Sequence, residues 1–150
     1  MKFGIFYELQ LPRPWGPDSE FQLYQDALAQ LELADALGYD YAWEVEHHFL
    51  EEYSHSSAPE VFLAAASQRT KRIRLGHGIF QLTTNHPAKV AEKVAALDLC
   101  LANSPTFFKI GGVYFSSRDL NSSSETHFSP KEILAGSGYF NAEPFVPLIL

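Results

Sequence analysis

A chain of 150 residues that is 46% hydrophobic and 14% aromatic has enough apolar side chain for a folded core, which excludes disorder of the whole chain. It has no apolar run near the roughly eighteen residues of a membrane span, and its net charge of -7 argues against nucleic acid or an anionic membrane as partner, since both require a basic face. The single cysteine, Cys100, has no internal disulfide partner, and Met1-Lys2 leads straight into an apolar strand without a basic, cleavable leader, so a reducing cytoplasm is the expected location.

Lys2 to Glu8 reads as a first strand, with Phe3, Ile5 and Tyr7 on one face and Gly4 and Phe6 on the other. Both faces are apolar, as in a parallel sheet. The run Leu11-Pro-Arg-Pro-Trp-Gly-Pro17 is a loop, because three prolines fix φ and remove donors. Trp15 is placed either to close over a ligand or, as the preferred reading, to pack on its own loop. Ser19-Glu20-Phe21-Gln22 has capping-box spacing, and Tyr24, Ala27, Leu28, Leu31 and Ala34 then form one apolar helical face that Gly38 ends.

Tyr39 to Val45 supplies aromatic and β-branched residues for a second strand, and Trp43-Glu44-Val45-Glu46-His47-His48-Phe49 sets two imidazoles and carboxylates at its end. An apolar strand that ends in titratable groups is the pattern at the carboxyl edge of parallel α/β sheets and barrels, where such folds build their sites. Successive strand residues point to opposite sides, so only one of His47 and His48 faces a given ligand while the strand stays regular. An imidazole titrates near neutrality and serves as base or hydrogen-bond donor, and Glu46 is a group that would fix the tautomer of His47. His48 and His86 are read as structural.

After the polar loop Glu51 to Ser57, the run Ser57-Ala58-Pro59-Glu60 starts a second helix that reaches about Arg69. Arg69, Lys71, Arg72 and Arg74 resemble a phosphate patch, but cations suit a helix C-terminus and precede the next strand, on the face opposite the site. Ile73 to Leu82 reads as the third strand. Gly76 and Gly78 within it leave two readings open: a flat ligand on bare backbone, or tight packing at a bend. Asn85 or His86 then caps a helix with Pro87 in its first turn and Val90, Val94, Leu97 and Leu101 on one face, where Cys100 is expected to be buried and inert. The histidines lack the His-x-His or His-Glu-x-x-His spacing of a metal site. Three strand-loop-helix units point to an α/β fold, a barrel or an open parallel sheet.

Met1-Lys-Phe-Gly-Ile-Phe6, Trp43-Glu-Val-Glu-His-His-Phe49, Ser57-Ala-Pro-Glu60, Leu75-Gly-His-Gly-Ile79 and Leu82-Thr-Thr-Asn-His-Pro87 closely resemble the bacterial luciferase-like, FMN-dependent monooxygenase family. The resemblance covers about residues 1–101. It implies a TIM (β/α)8 barrel, of which this chain holds the first three β/α units. It also implies reduced FMN from a separate flavin reductase, and O2 used to oxidise a small organic substrate. By the same resemblance His47 is the catalytic residue beside the flavin, Glu46 lies in the flavin pocket, Gly78 and Ile79 support the ring, and Phe6 lines the cavity. No metal is implied.

From Ala102-Asn103-Ser104-Pro105 to Leu150 the family pattern is absent, and residues 102–150 read as a divergent tail: a shifted or spliced reading frame, a genuine end, or a fusion. The tail holds one strand at Lys109 to Phe115, a capped helix start at Ser129-Pro-Lys-Glu132, and an apolar end, Phe145 to Leu150. A whole barrel takes roughly 250 residues, and its phosphate site usually follows the seventh and eighth strands. Three units alone leave open edges that invite a homo-oligomer. Weak FMN binding by the isolated chain follows, and the alternative function is a non-catalytic barrel fragment that acts as a packing module.

Overall fold

A computed structural model of the chain describes residues 1–81 and 83–100, and the backbone of residues 107–110, 113–116 and 145–149. Strands β1 (Lys2–Tyr7), β2 (Tyr41–Glu44) and β3 (Arg74–His77) are each followed by a helix, α1 (Ser19–Leu37), α2 (Pro59–Ser67) and α3 (Pro87–Cys100). The three strands lie side by side in parallel, with Phe6 opposite Trp43 and Trp43 opposite Gly76, and with Tyr7 opposite Glu44 and Glu44 opposite His77. Further strands β4 (Phe107–Ile110), β5 (Val113–Ser116) and β6 (Phe145–Ile149) complete one sheet of order β5-β4-β3-β2-β1-β6. β4 and β6 run parallel to their neighbours β3 and β1, and β5 is antiparallel to β4.

The alternation of side chains decides which face packs on the helices. The Tyr7 hydroxyl donates to the Ala27 carbonyl of α1 at 3.3 Å and the Tyr7 ring lies 5.7 Å from Phe62 of α2, so the row Tyr7-Glu44-His77 faces the helices. Ile5, Leu28, Leu31, Leu63, Ile73 and Leu75 fill the space between sheet and helices. Each such side chain, fully buried, stabilises the fold by about 1.5–3 kcal/mol.

Asp35 fastens α1 to the entry of β3. Its carboxylate accepts from the backbone N–H of Lys71 at 2.9 Å, Arg72 at 2.8 Å and Ile73 at 2.6 Å. Burial raises its pKa, but these three donors and the Arg72 charge outweigh burial and hold it below the ordinary carboxylate value. The basic stretch is therefore structural: Arg72 also donates to the Asp35 carbonyl, Arg69 reaches Glu32 and Gln25, and Arg74 lies over the Tyr41 ring.

Several local expectations are corrected. The Ser19 hydroxyl accepts from Gly16 N–H at 2.8 Å instead of closing a capping box, and Asp18 holds the N-cap position. Ala58 takes that position in α2, so Ser57 is not the cap, and Pro59 is the first helical residue. Gly38 does end α1, at φ 87°, donating to Asp35. β2 and β3 stop at Glu44 and His77, sooner than expected, so His47, His48 and Gly78 lie beyond the strands. Cys100 is exposed, not buried, because α3 turns Val90, Ala91, Val94 and Leu97 inward. Trp15 packs on its own loop, donating to the Leu11 carbonyl at 2.8 Å under the Arg13 guanidinium.

The tail joins the sheet. The single strand expected at Lys109 to Phe115 is two, β4 and β5, separated in sequence by Gly111-Gly112, a hairpin signal. The apolar end forms β6, while the helix start at Ser129 lies outside the described residues. β1 and β3 are therefore interior strands, not the open edges expected of three units. Among the described residues no helix is long and apolar enough to cross a membrane.

Candidate functional site

Because β1, β2 and β3 are parallel, the segments that leave their carboxyl ends share one edge of the sheet. Backbone bonds weld these segments together: His55 N–H to the Leu9 carbonyl at 3.0 Å, Leu11 N–H to Glu52 at 3.0 Å, His47 N–H to Ser56 at 2.8 Å and Gly78 N–H to Glu44 at 2.7 Å. Arg13 adds ion pairs to Glu51 and Glu52. The rim is thus a fixed platform built from the loops after β1 and β2.

His47 is half-buried on this platform. Its Nε2 lies 3.4 Å from Glu8 Oε2, and its ring meets Tyr53 edge-on at 5.6 Å. Glu46 does not bear on His47, contrary to the sequence reading, because its carboxylate is turned toward β3. Glu46 accepts from Gln81 N–H at 2.9 Å and from the Asn85 amide at 3.2 Å, and it pairs with His48 Nε2 at 3.2 Å. The Gln81 side chain returns the bond to the Glu46 carbonyl at 3.2 Å, so Glu46 clasps the segment that follows Gly78 and Ile79.

Phe6 and Gly78 are brought into contact. A Cβ at Gly78 would stand 2.8 Å from the Phe6 ring, so the glycine is required for the close approach of that ring. The packing reading of Gly78 accounts for this contact. Ile79 is half-buried beside it, and Phe80 stacks on His77 at 4.1 Å. His86 serves α3, its Nδ1 accepting from Ala88 N–H at 3.2 Å. Sequence reasoning missed Glu8 as a site residue. Its signal was that of Glu44 and Glu46, a carboxylate where an apolar strand ends. Among the described residues no group of three or more His, Cys, Asp or Glu side chains is arranged to hold a metal.

The family model for luciferase-like monooxygenases matches residues 1–101. The chain belongs to the luciferase-like monooxygenase family. Limonene 1,2-monooxygenase of Rhodococcus erythropolis is 41% identical over 99 residues, 64% of this chain and 24% of that protein. The crystal structure of monooxygenase RslO1 from Streptomyces bottropensis is 40% identical with a TM-score of 0.60, over 67% of this chain and 30% of that one. The oxygenating constituent of 3,6-diketocamphane monooxygenase from Pseudomonas putida, solved with FMN, superposes at a TM-score of 0.65 and 24% identity, over 77% of this chain and 30% of that one, and shows the fold alone. The chain thus spans about a quarter of the length of its curated family relatives.

The site can be tested for fit to a flavin. The ring requires a flat apolar surface beside polar groups, and Phe6, Gly78 and Ile79 supply the first while His47 with Glu8 supplies the second. The residues present fit the ring. They do not favour its phosphate: Glu8, Glu46, Glu51 and Glu52 line the rim, and Arg13 is held by the last two.

Proposed function

We propose that this chain supplies the first three β/α units of a flavin-dependent monooxygenase that uses reduced FMN, delivered by a separate flavin reductase, and O2 to oxidise a small organic substrate. The observation that carries the reading is His47, paired with Glu8 at the carboxyl edge of β1 and β2, next to the Phe6-Gly78 surface. The chemistry such a cofactor supplies when bound is the electron pair by which one oxygen atom of O2 enters the substrate and the other leaves as water. His47 accepts or donates a proton beside that chemistry. Phe6 and Ile79 exclude water from it, and Glu46 holds the segment on which the ring would rest.

The acidic rim favours one alternative, a non-catalytic barrel fragment that acts as a packing partner, because carboxylates give a phosphate no counter-charge. Oxygenated product formed with the reductase, FMN and O2 separates the two, because reduced FMN consumes O2 unaided. An active monooxygenase forms product above the level seen without the chain, and His47→Ala lowers that rate by about 10²-fold or more with the fold intact. A packing fragment forms no such product, and parent and variant do not differ. FMN retained after desalting is expected to be well below one per chain.

A further inference from the structure

We propose that Glu8 is the positioning residue of His47, holding its imidazole with the proton on Nε2 and leaving Nδ1 as the nitrogen that exchanges protons. The platform carries two carboxylates and two imidazoles, and the structure sorts them into pairs. Glu46 is saturated by Gln81 N–H, the Asn85 amide and His48, whereas Glu8 Oε2 is buried, makes no hydrogen bond and stands 3.4 Å from His47 Nε2. A buried carboxylate oxygen needs a donor, and the nearby imidazole N–H supplies one once the pair tightens. Glu44 lies in the row that faces the helices, and burial raises its pKa well above the ordinary carboxylate value.

The backbone holds each pair from both sides. His47 N–H is fixed to the Ser56 carbonyl at 2.8 Å. Leu9, directly after Glu8, has φ 50°, and Phe49, directly after His48, has φ 60°. Neither is glycine, so each left-handed residue is strained and is maintained by the surrounding bonds. Two strained residues abutting the two pairs indicate that the chain is turned there to present Glu8 and His47 to each other. A carboxylate that accepts from Nε2–H selects one tautomer of a neutral imidazole, so the lone pair of Nδ1 stays available.

The inference rests on the flavin reading only for its catalytic consequence, and its test needs no cofactor. In the full-length chain labelled with ¹⁵N-histidine at about pH 8, long-range ¹H–¹⁵N spectra report which ring nitrogen bears the proton. The parent is expected to show a pyrrole-like Nε2 and a pyridine-like Nδ1 at His47. Glu8→Gln, nearly isosteric, offers an amide donor as well as an acceptor and is expected to abolish that preference. Glu46→Gln is expected to change His48 and leave His47 as it was. A parent with Nδ1 protonated overturns the proposal, as does an unaltered His47 in Glu8→Gln or a shift of His47 in Glu46→Gln. Where oxygenated product is formed, Glu8→Gln should lower kcat more than it raises KM. Absence of product with the parent would count against the flavin reading while the tautomer result still decides this one.

Discussion

Glu44 of β2 and His77 of β3 are register partners, side by side on the helix-facing side of the sheet, and both are wholly buried. Among the described residues neither Glu44 oxygen nor either His77 nitrogen meets a hydrogen-bond donor or acceptor, and Ser56, whose hydroxyl borders Glu44, gives its proton to the Val45 carbonyl at 2.6 Å. Burial raises the Glu44 pKa well above its ordinary value, an effect that the nearby Glu8 charge strengthens. Burial pushes His77 down to about 4, against the opposing pull of Glu60 and Glu46. Burial thus disfavours the charged form of both neighbours.

The two groups titrate with opposite consequences. The neutral His77 contributes stability above its ordinary value of 6.5, and up to about 3 kcal/mol is lost as pH falls from there through about 4. The protonated Glu44 contributes stability that is present below its ordinary 4.5 and is lost as pH rises toward its raised value. Urea unfolding at pH 4.5, 6 and 8 should show His77→Gln losing less stability than the parent between pH 6 and 4.5. Glu44→Gln should gain most, relative to the parent, at pH 8.

Removal of the Asp35 carboxylate leaves three backbone N–H groups without their acceptor. Asp35→Ala is expected to cost at least about 2 kcal/mol, read as a lowered Tm. The contribution of Asp35 is present above its ordinary 3.8 and lost as pH falls through its depressed folded value, so the variant should also lose part of the acid dependence below pH 4.

Gly78→Ala places a methyl 2.8 Å from the Phe6 ring and 3.4 Å from the Glu44 carbonyl. A loss of about 1–3 kcal/mol is expected. Combined with Phe6→Leu, which withdraws the ring, the penalty should shrink. A double-mutant cycle from thermal unfolding measures the coupling, and additive losses would place the clash elsewhere.

Phe49 and Leu9 share a left-handed backbone but differ in burial. Phe49→Gly relieves the strain without disturbing any packing of the exposed ring against the core, and stability should rise by up to about 1 kcal/mol. Leu9→Gly relieves the same strain but empties a buried position, and a net loss of about 2 kcal/mol or more is expected. Calorimetric Tm values that move in the same direction for both variants would contradict this.

The sequence is legible where periodicity is strong. Ile5, Leu28, Leu31, Leu63 and Leu75 follow strand and helix spacing, and the three β/α units are found where that spacing places them. Periodicity is silent on buried charged residues. Glu44, Asp35 and His77 are buried, and the register of neighbouring strands and the Lys71, Arg72 and Ile73 N–H groups that Asp35 accepts show how they are placed. The alternation rule was applied to a histidine pair just after the strand expected at Tyr39 to Val45. With β2 ending at Glu44, the alternation rule no longer applied to them, and the partners became Glu8 for His47 and Glu46 for His48. Caps failed for a related reason: Ser19 met Gly16 before it could serve the helix.

The pairing of β6 with β1 joins Phe145 to Lys2, two residues far apart along the chain. Contacts so distant along the chain are slow to form, since a long loop must close before any bond rewards it. During synthesis the first strand emerges before β2 and finds it soon after, yet its other flank stays bare until β6 has been made. For that interval the nascent chain offers an unpaired edge to any other strand within reach, and chaperone cover on the ribosome would protect it there.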